Sequence, residues 1–356
     1  MLEVGGDNDR LAGLRARIDK LNSEILELLN ERAAVALQVS RVKADLGISG
    51  YDPVRESAML ESLVDENRGP FSSQAVSSIF KYIFQTTLEF MEGSERGSLK
   101  VSRLYQPENT RFCVNGAEFG GSSFSVIAGP CSIESEEQAE AVAANLARCG
   151  VRIMRGGAFK PRTSPYSFQG LGMEGLKILS GAAHRHNLAV VSELTDVRQL
   201  EPAYPYLDII QIGARNMYNY SLLREIGALD KPIILKRHFA ASLEELLFSA
   251  EYLMQAGASR IILCERGIRT FERWVRNTLD ISAVPLLKQE THLPVMVDIS
   301  HAAGRRDILL PLAKASKAVG ADALMVEVHD NPKCARSDCQ QQLDFDDFAR
   351  LMQELL

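Results

Sequence analysis

The sequence predicts an α/β fold, a (β/α)8 TIM barrel preceded by an all-α domain of three helices. Three observations carry that reading. Eight short apolar runs recur from residue 125 onward: SVIAGPCS (125–132), VRIMRGGA (151–158), AVVSEL (189–194), IIQIGA (209–214), PIILKR (232–237), IILCER (261–266), PVMVDIS (294–300) and ALMVEVH (323–329). Continuous apolar runs of this length are strands buried on both faces, as in a parallel sheet. The spacers between them are helix-length, and nearly every run ends in a polar residue, so Cys131, Arg155, Glu193, Lys236, Arg266, His301 and Glu327 converge on the mouth of the barrel, where such folds build their sites. The first ninety residues lack such runs and repeat apolar side chains at helical steps.

Taken in order, residues 8–46 form one helix. Leu11, Leu14, Ile18, Leu21, Ile25, Leu28, Val35, Val39, Val42 and Leu46 follow steps of three and four, and Gly47 and Gly50 stop the pattern. Asp52-Pro53 opens a second helix, with Asp as N-cap and Pro at its first position. Gly69-Pro70 breaks it, and residues 72–91 make the third. The polar stretch EGSERGSLKVSRLYQPEN (92–109) reads as a linker, so the expected division is 1–92 helical domain, 93–109 linker and 110–356 barrel. Asn115-Gly116 predicts a short hairpin, RFCV-NG-AEFG, ahead of the first barrel strand.

Composition narrows the function classes. The 356 residues suffice for two domains, and 46% apolar with 24% charged residues is ordinary for a globular chain. A net charge of −6 argues against a nucleic-acid partner. No apolar run approaches the roughly 20 residues that span a bilayer, so no membrane is expected. The polar start MLEVGGDNDR is no signal peptide, which points to the cytoplasm. The six cysteines lack CxxC spacing and are expected to be reduced thiols.

Two constellations at the strand ends carry chemistry. Cys131, His301 and Glu327 follow strands 1, 7 and 8 of the barrel, and Asp338 lies in the loop after the eighth. A thiol, an imidazole and two carboxylates suit a divalent transition ion such as manganese, iron, cobalt or zinc better than magnesium or calcium. In a closed barrel strand 1 adjoins strand 8 and strand 7 adjoins 8, so the four can meet. The second constellation is cationic: Arg155, Lys160, Arg162, Arg215, Lys236 and Arg266 follow strands 2, 4, 5 and 6. Six cations at one mouth in a net-negative chain call for anionic substrates, gripped by bidentate guanidinium and point-charge ammonium groups.

The segments IAGPCS, MRGGAFKPRTSPYSFQGLG, QIGARNM, LKR, CERGIRT, DISHAAGRRD and VEVHDNP with the later SD resemble the 3-deoxy-D-arabino-heptulosonate 7-phosphate (DAHP) synthases of the short β-type of the first class, in that family's order over residues 127–338. The resemblance implies a metal-dependent condensation of phosphoenolpyruvate with erythrose 4-phosphate, the first step of the shikimate pathway. It implies Cys131, His301, Glu327 and Asp338 as metal ligands, with manganese first among the candidate ions. It implies Arg155, Lys160, Arg215, Lys236 and Arg266 on phosphoenolpyruvate, and Arg162, Thr163 and Ser164 on the phosphate of erythrose 4-phosphate. Lys160, Cys131 and His301 are then the catalytic group, with Lys160 as general acid toward the new alkoxide. Glu193 is open between a site role and a structural one. The related synthases that use arabinose 5-phosphate carry an Asn-Arg-Ser element where this chain has KPRTS (160–164), which favours the four-carbon sugar. One departure is His238, where the family usually has Gly; a positive φ there would explain the family's choice.

In the first helix the three-four rhythm between Leu28 and Val35 lands on Arg32, a charge in an apolar stripe that needs a partner. Lys43 shares its face eleven residues on, whereas Arg15, seventeen residues earlier, is about 26 Å away and about 100° round the helix. LRARID, LLNERAAVALQVSRVK and YDPVRE resemble the all-helical chorismate mutases over residues 11–91. That resemblance implies an intertwined homodimer through the N-terminal helices, in which Arg15 from the partner subunit joins Arg32, Lys43, Arg55, Glu56 and Thr87 around chorismate or prephenate. The resemblance of the barrel to the synthases implies pairing of dimers into a homotetramer. The family's hydrogen-bond donor, a Gln four residues after a small or hydroxyl residue, falls here on Met91 after Thr87. Methionine cannot donate, so the expectation is a domain that senses chorismate or prephenate and inhibits the barrel, with weakened mutase activity; the alternative is a fully bifunctional enzyme.

Overall fold

The computed structural model describes residues 5–46, 52–161, 164 and 166–355. The chain separates into two compact units, residues 1–98 and 99–356.

The first unit is three helices: α1 (Gly5–Asp45), α2 (Pro53–Glu66) and α3 (Ser73–Ser98). Asp52 caps α2 as expected, its carboxylate accepting from the Arg55 N–H at 3.0 Å. The apolar stripe of α1, from Leu11 to Leu46, is 43–67% exposed. An α-helix that leaves a continuous apolar seam in water lacks a partner for it.

The second unit is the barrel. A two-residue hairpin comes first, β1 (Phe112–Val114) antiparallel to β2 (Ala117–Phe119), with Asn115 at φ 48° and Gly116 at φ 81° in the turn. Eight parallel strands follow: β3 (Ser125–Gly129), β4 (Ile153–Arg155), β5 (Ala189–Leu194), β6 (Ile209–Ile212), β7 (Ile233–Lys236), β8 (Ile261–Glu265), β9 (Val295–Asp298) and β10 (Ala323–Glu327). They close with β10 pairing β3, Glu327 opposite Gly129. Around them lie α4 (Glu136–Arg148), α5 (Gly172–Arg185), α6 (Leu200–Ala203), α7 (Tyr220–Gly227), α8 (Leu243–Gln255), α9 (Ala283–Glu290), α10 (Ile299–Ala303), α11 (Leu309–Ala318) and α12 (Phe345–Leu355).

Two cores result, because each strand is apolar on both faces. One lies between strands and helices; the other fills the barrel with Ile127, Ile153, Val191, Ile209, Ile234, Ile262, Met296 and Met325. Ala117 and Phe119 of the hairpin belong to this inner core, so the hairpin plugs the end of the barrel opposite the strand C-termini.

The expected linker over 93–109 is corrected. Helix α3 runs on to Ser98, and residues 99–110 are fastened to the barrel. Val101 is buried, its N–H donating to the Glu251 carboxylate at 3.0 Å while its carbonyl accepts from the Thr291 hydroxyl. The buried His292 ring bridges the Lys100 carbonyl at 2.8 Å and the Thr110 hydroxyl at 2.7 Å. Arg103 donates to the carbonyls of Lys288, Pro107 and Thr291. The segment that looks like a solvated tether is thus tied down through its own backbone groups and through the Arg103 guanidinium, which bonds barrel carbonyls.

Candidate active site and metal centre

The strand ends place the first constellation as expected. Cys131 follows β3, His301 lies in α10 directly after β9, Glu327 ends β10, and Asp338 lies in the loop beyond. One donor atom from each lies within 4.8 Å of the others. Cys131 Sγ is 3.4 Å from Asp338 Oδ2, and His301 Nε2 is 3.4 Å from Glu327 Oε1 and 3.8 Å from Asp338 Oδ2. An ion between them would reach sulfur, nitrogen and two carboxylates at ordinary coordination distances of about 2.0–2.4 Å. The residues present therefore fit a divalent transition ion.

Protonation follows from the surroundings. Burial, and then the Glu327 carboxylate, push the Cys131 thiol up to about 12. Burial lowers His301 from its ordinary value, against the pull of the Asp298 and Glu327 carboxylates. Burial alone would raise Glu327 and Asp338, but His301 and a guanidinium beside each (Arg155 and Arg276) hold both below the usual carboxylate range. Loading an ion at neutral pH should then release the Cys131 proton, because the thiol must bind as thiolate. The sign follows: affinity should rise about tenfold per pH unit from 6.5 to 8.5. Isothermal titration with Mn2+ in two buffers of different ionisation enthalpy counts that proton, and zero protons released would remove the thiolate from the set.

The cations line one cavity of about 460 Å³, with Arg155, Lys160, Arg215, Lys236 and Arg266 all on its wall. Ser164 and Glu193 line it too. Arg162 and Thr163 lie outside the described residues. Glu193 sits so close to Gly213 that a Cβ there would meet its carboxylate at 1.9 Å, so Gly213 makes room for it. His238 is not strained: among the described residues positive φ outside glycine occurs at Asn115, Asn187 and Asp338. The conformational reason for glycine at position 238 is thus absent here, and the ring packs against Phe239 and Tyr218 instead.

Several cations touch the donors. Arg155 donates to Glu327 at 2.5 Å, a pair 5% and 1% exposed. The Lys160 ammonium donates to the Cys131 carbonyl at 3.0 Å and to its sulfur at 3.1 Å. Burial, the largest influence, would lower Lys160, but Cys131, Glu327 and Glu193 together keep the ammonium above its ordinary value. Cation and donor sets therefore form one site.

Sequence reasoning missed four of its members. Asp298 ends β9, caps α10 through the His301 N–H at 3.0 Å and binds His301 Nδ1 at 2.7 Å, which turns Nε2 toward the cluster. The same carboxylate accepts from Lys236. The spacing D-x-x-H at a strand end was the available signal. Arg269 and Arg276 also line the cavity; Arg276 is 3.1 Å from Asp338 Oδ2. Gln341 is the fourth, donating to Glu327 at 2.7 Å. These three sit in loops whose course no local pattern reveals.

In the helical unit Arg32 finds its partner. It donates to Thr87 Oγ1 at 2.8 Å and lies 4.8 Å over the Phe84 ring, where burial lowers its pKa. Arg32 and Thr87 are thus brought together from α1 and α3. Arg15 and Arg55 are exposed, and Lys43 and Glu56 are half-buried.

Known proteins share both units. Residues 109–356 match the DAHP synthetase I family, and residues 14–92 match chorismate mutase type II. A phospho-2-dehydro-3-deoxyheptonate aldolase of Thermotoga maritima is 51% identical over 255 residues, covering 72% of this chain and 75% of that protein. A 2-dehydro-3-deoxyphosphooctonate aldolase of Granulibacter bethesdensis is 31% identical over 282 residues, covering 74% and 96%. The crystal structure of the Thermotoga maritima heptonate aldolase superposes with a TM-score of 0.71 at 50% identity, over 72% of this chain and 75% of that one.

Proposed function

We propose that this chain, which belongs to the DAHP synthetase I family and carries a chorismate mutase type II domain at its N-terminus, condenses phosphoenolpyruvate with erythrose 4-phosphate to DAHP and phosphate, the first step of the shikimate pathway. The observation that carries the reading is one mouth holding a four-donor cluster and five cations together. Identity of 51% to a heptonate aldolase against 31% to an octonate aldolase supports the four-carbon sugar, as does KPRTS. No helix among the described residues is long and apolar enough to cross a membrane; we place the enzyme in the cytoplasm.

Cys131, His301, Glu327 and Asp338 would hold the divalent ion, manganese first among the candidates. When bound, such an ion supplies Lewis acidity to the aldehyde oxygen of erythrose 4-phosphate. Arg155, Lys236, Arg215 and Arg266 hold the carboxylate and phosphate of phosphoenolpyruvate, and Arg162, Thr163 and Ser164 the sugar phosphate. Held this way, C3 of phosphoenolpyruvate faces the aldehyde carbon; C3–C bond formation leaves C2 cationic, water adds there, and the C–O bond to phosphate breaks. Lys160, an ammonium at neutral pH, has a proton to give the new alkoxide. Asp298 holds Lys236 and His301 in register for both tasks.

The helical unit is proposed as a chorismate or prephenate sensor with weakened mutase activity. Its exposed apolar stripe on α1 fits a second copy of the chain, giving the intertwined dimer that brings Arg15 to the Arg32–Thr87 pair. Dimers would pair into tetramers through the barrels.

Phosphate release from phosphoenolpyruvate tests the synthase. It should require erythrose 4-phosphate, fall at least about a hundredfold with chelator and return with Mn2+, since Lewis-acid stabilisation is worth several kcal/mol. Faster turnover of arabinose 5-phosphate, or indifference to chelator, would overturn the assignment.

A further inference from the structure

We infer that Gln342 and Gln341 are positioning residues for the metal centre, their two side-chain amides clasping the separate segments that bear Cys131, Glu327 and Asp338 into one geometry. The inference rests on the metal reading proposed above.

The donors reach the cluster from different stretches, Cys131 and Asp338 being 207 residues apart. Asp338 itself has a left-handed backbone, φ 49°, a conformation that aspartate adopts more readily than most non-glycine residues. The group that fastens the turn before it to the Cys131 loop is Gln342, 0% exposed. Its side-chain oxygen accepts from the Cys131 N–H at 2.9 Å, and its amide nitrogen donates to the Ser337 carbonyl at 2.9 Å. One amide therefore joins the residue that offers sulfur to the residue directly before the Asp338 carboxylate. The Ser132 and Ser337 hydroxyls, 2.7 Å apart, tie the same two loops beside it.

Gln341, 2% exposed, acts on the carboxylates. Its amide nitrogen donates to Glu327 Oε2 at 2.7 Å and lies 3.4 Å from Asp338 Oδ2. With Oε2 occupied, Oε1 is the Glu327 oxygen that faces His301 Nε2. The Gln341 oxygen in turn accepts from Arg276 at 3.0 Å.

Both amides are matched end for end. The Gln342 oxygen meets an N–H and its nitrogen meets a carbonyl, so the orientation is dictated by backbone groups that cannot exchange roles. A glutamate there keeps the acceptor for Cys131 but sets a lone pair against the Ser337 carbonyl. A methionine keeps the shape and loses both bonds. Outer partners of metal ligands of this kind typically govern affinity about 10–100-fold.

Cobalt binding by the full chain tests the clasp, because a thiolate bound to Co2+ absorbs in the near ultraviolet and reports the sulfur directly. The wild type should bind Co2+ with that band. Gln342→Met and Gln342→Glu should bind it about 10–100-fold more weakly, with the sulfur band diminished at saturation. Gln341→Met should lose affinity and keep the band, since its contacts are to carboxylates. Should Gln342→Met destabilise the barrel, Gln342→Glu carries the comparison. Gln342 variants with unchanged affinity and unchanged band would overturn the clasp while leaving the metal centre standing. A wild type that shows no sulfur band would overturn the metal reading and the clasp with it.

Discussion

Arg155→Ala should destabilise the ion-free protein by about 3 kcal/mol and slow the condensation about 10²–10³-fold, and a saturating divalent ion should return most of the stability but little of the activity. The reason is the burial of the pair. Glu327 is fully buried, and Arg155 is the guanidinium bonded to it. Removing one partner of a buried pair leaves the other charge uncompensated, a loss of about 3–5 kcal/mol. The lower end applies because Gln341 still donates to Glu327 and His301 still faces it. For a unit the size of this barrel, that is a fall of about 6–12 °C in Tm. A bound ion would supply the missing positive charge to Glu327. It would not replace the grip of Arg155 on phosphoenolpyruvate, so activity stays low. Thermal unfolding and phosphate release, each with and without Mn2+, measure the two effects separately. An equal drop in Tm with and without the ion would place Glu327 outside the metal site. Unchanged turnover would place Arg155 outside the substrate site.

Met91→Gln should raise chorismate turnover by about 10²–10³-fold over a slow wild type. Thr87 and Met91 lie one turn apart on α3, so they share a face, and Arg32 already bonds Thr87 on that face. The rearrangement of chorismate needs a donor on the ether oxygen as its bond breaks, and the thioether of Met91 has none to offer. Glutamine supplies it at nearly the same length. A wild type that is already fast would refute the weakening, and a variant no faster than wild type would refute the placement of Met91. The sensing role is separable: if prephenate leaves the synthase rate unchanged, the helical unit does not inhibit the barrel.

Much of this molecule was legible in its sequence. Each barrel strand announced itself as an apolar run, since both faces of a parallel strand are buried, and the hairpin turn was declared by Asn115-Gly116. The donors and most cations were legible as polar residues ending those runs. The strap over residues 99–110 was not, because its polar groups bond to Thr291, His292 and Glu251 far along the chain. Arg276 and Gln341 were hidden for the same reason: loop residues carry no periodicity that reveals what they face.

The sequence alone determined the number and order of the barrel strands and of the N-terminal helices, and most of the chemical groups at the mouth, because hydrophobic period, caps and strand ends are properties of neighbours along the chain. Only the tertiary structure decided which groups touch. Lys236 meets Asp298 across 62 residues, and Cys131 meets Gln342 across 211. Such meetings depend on closure of the barrel and on the paths of its loops, and a buried polar group is stable only with the particular partner that those paths deliver.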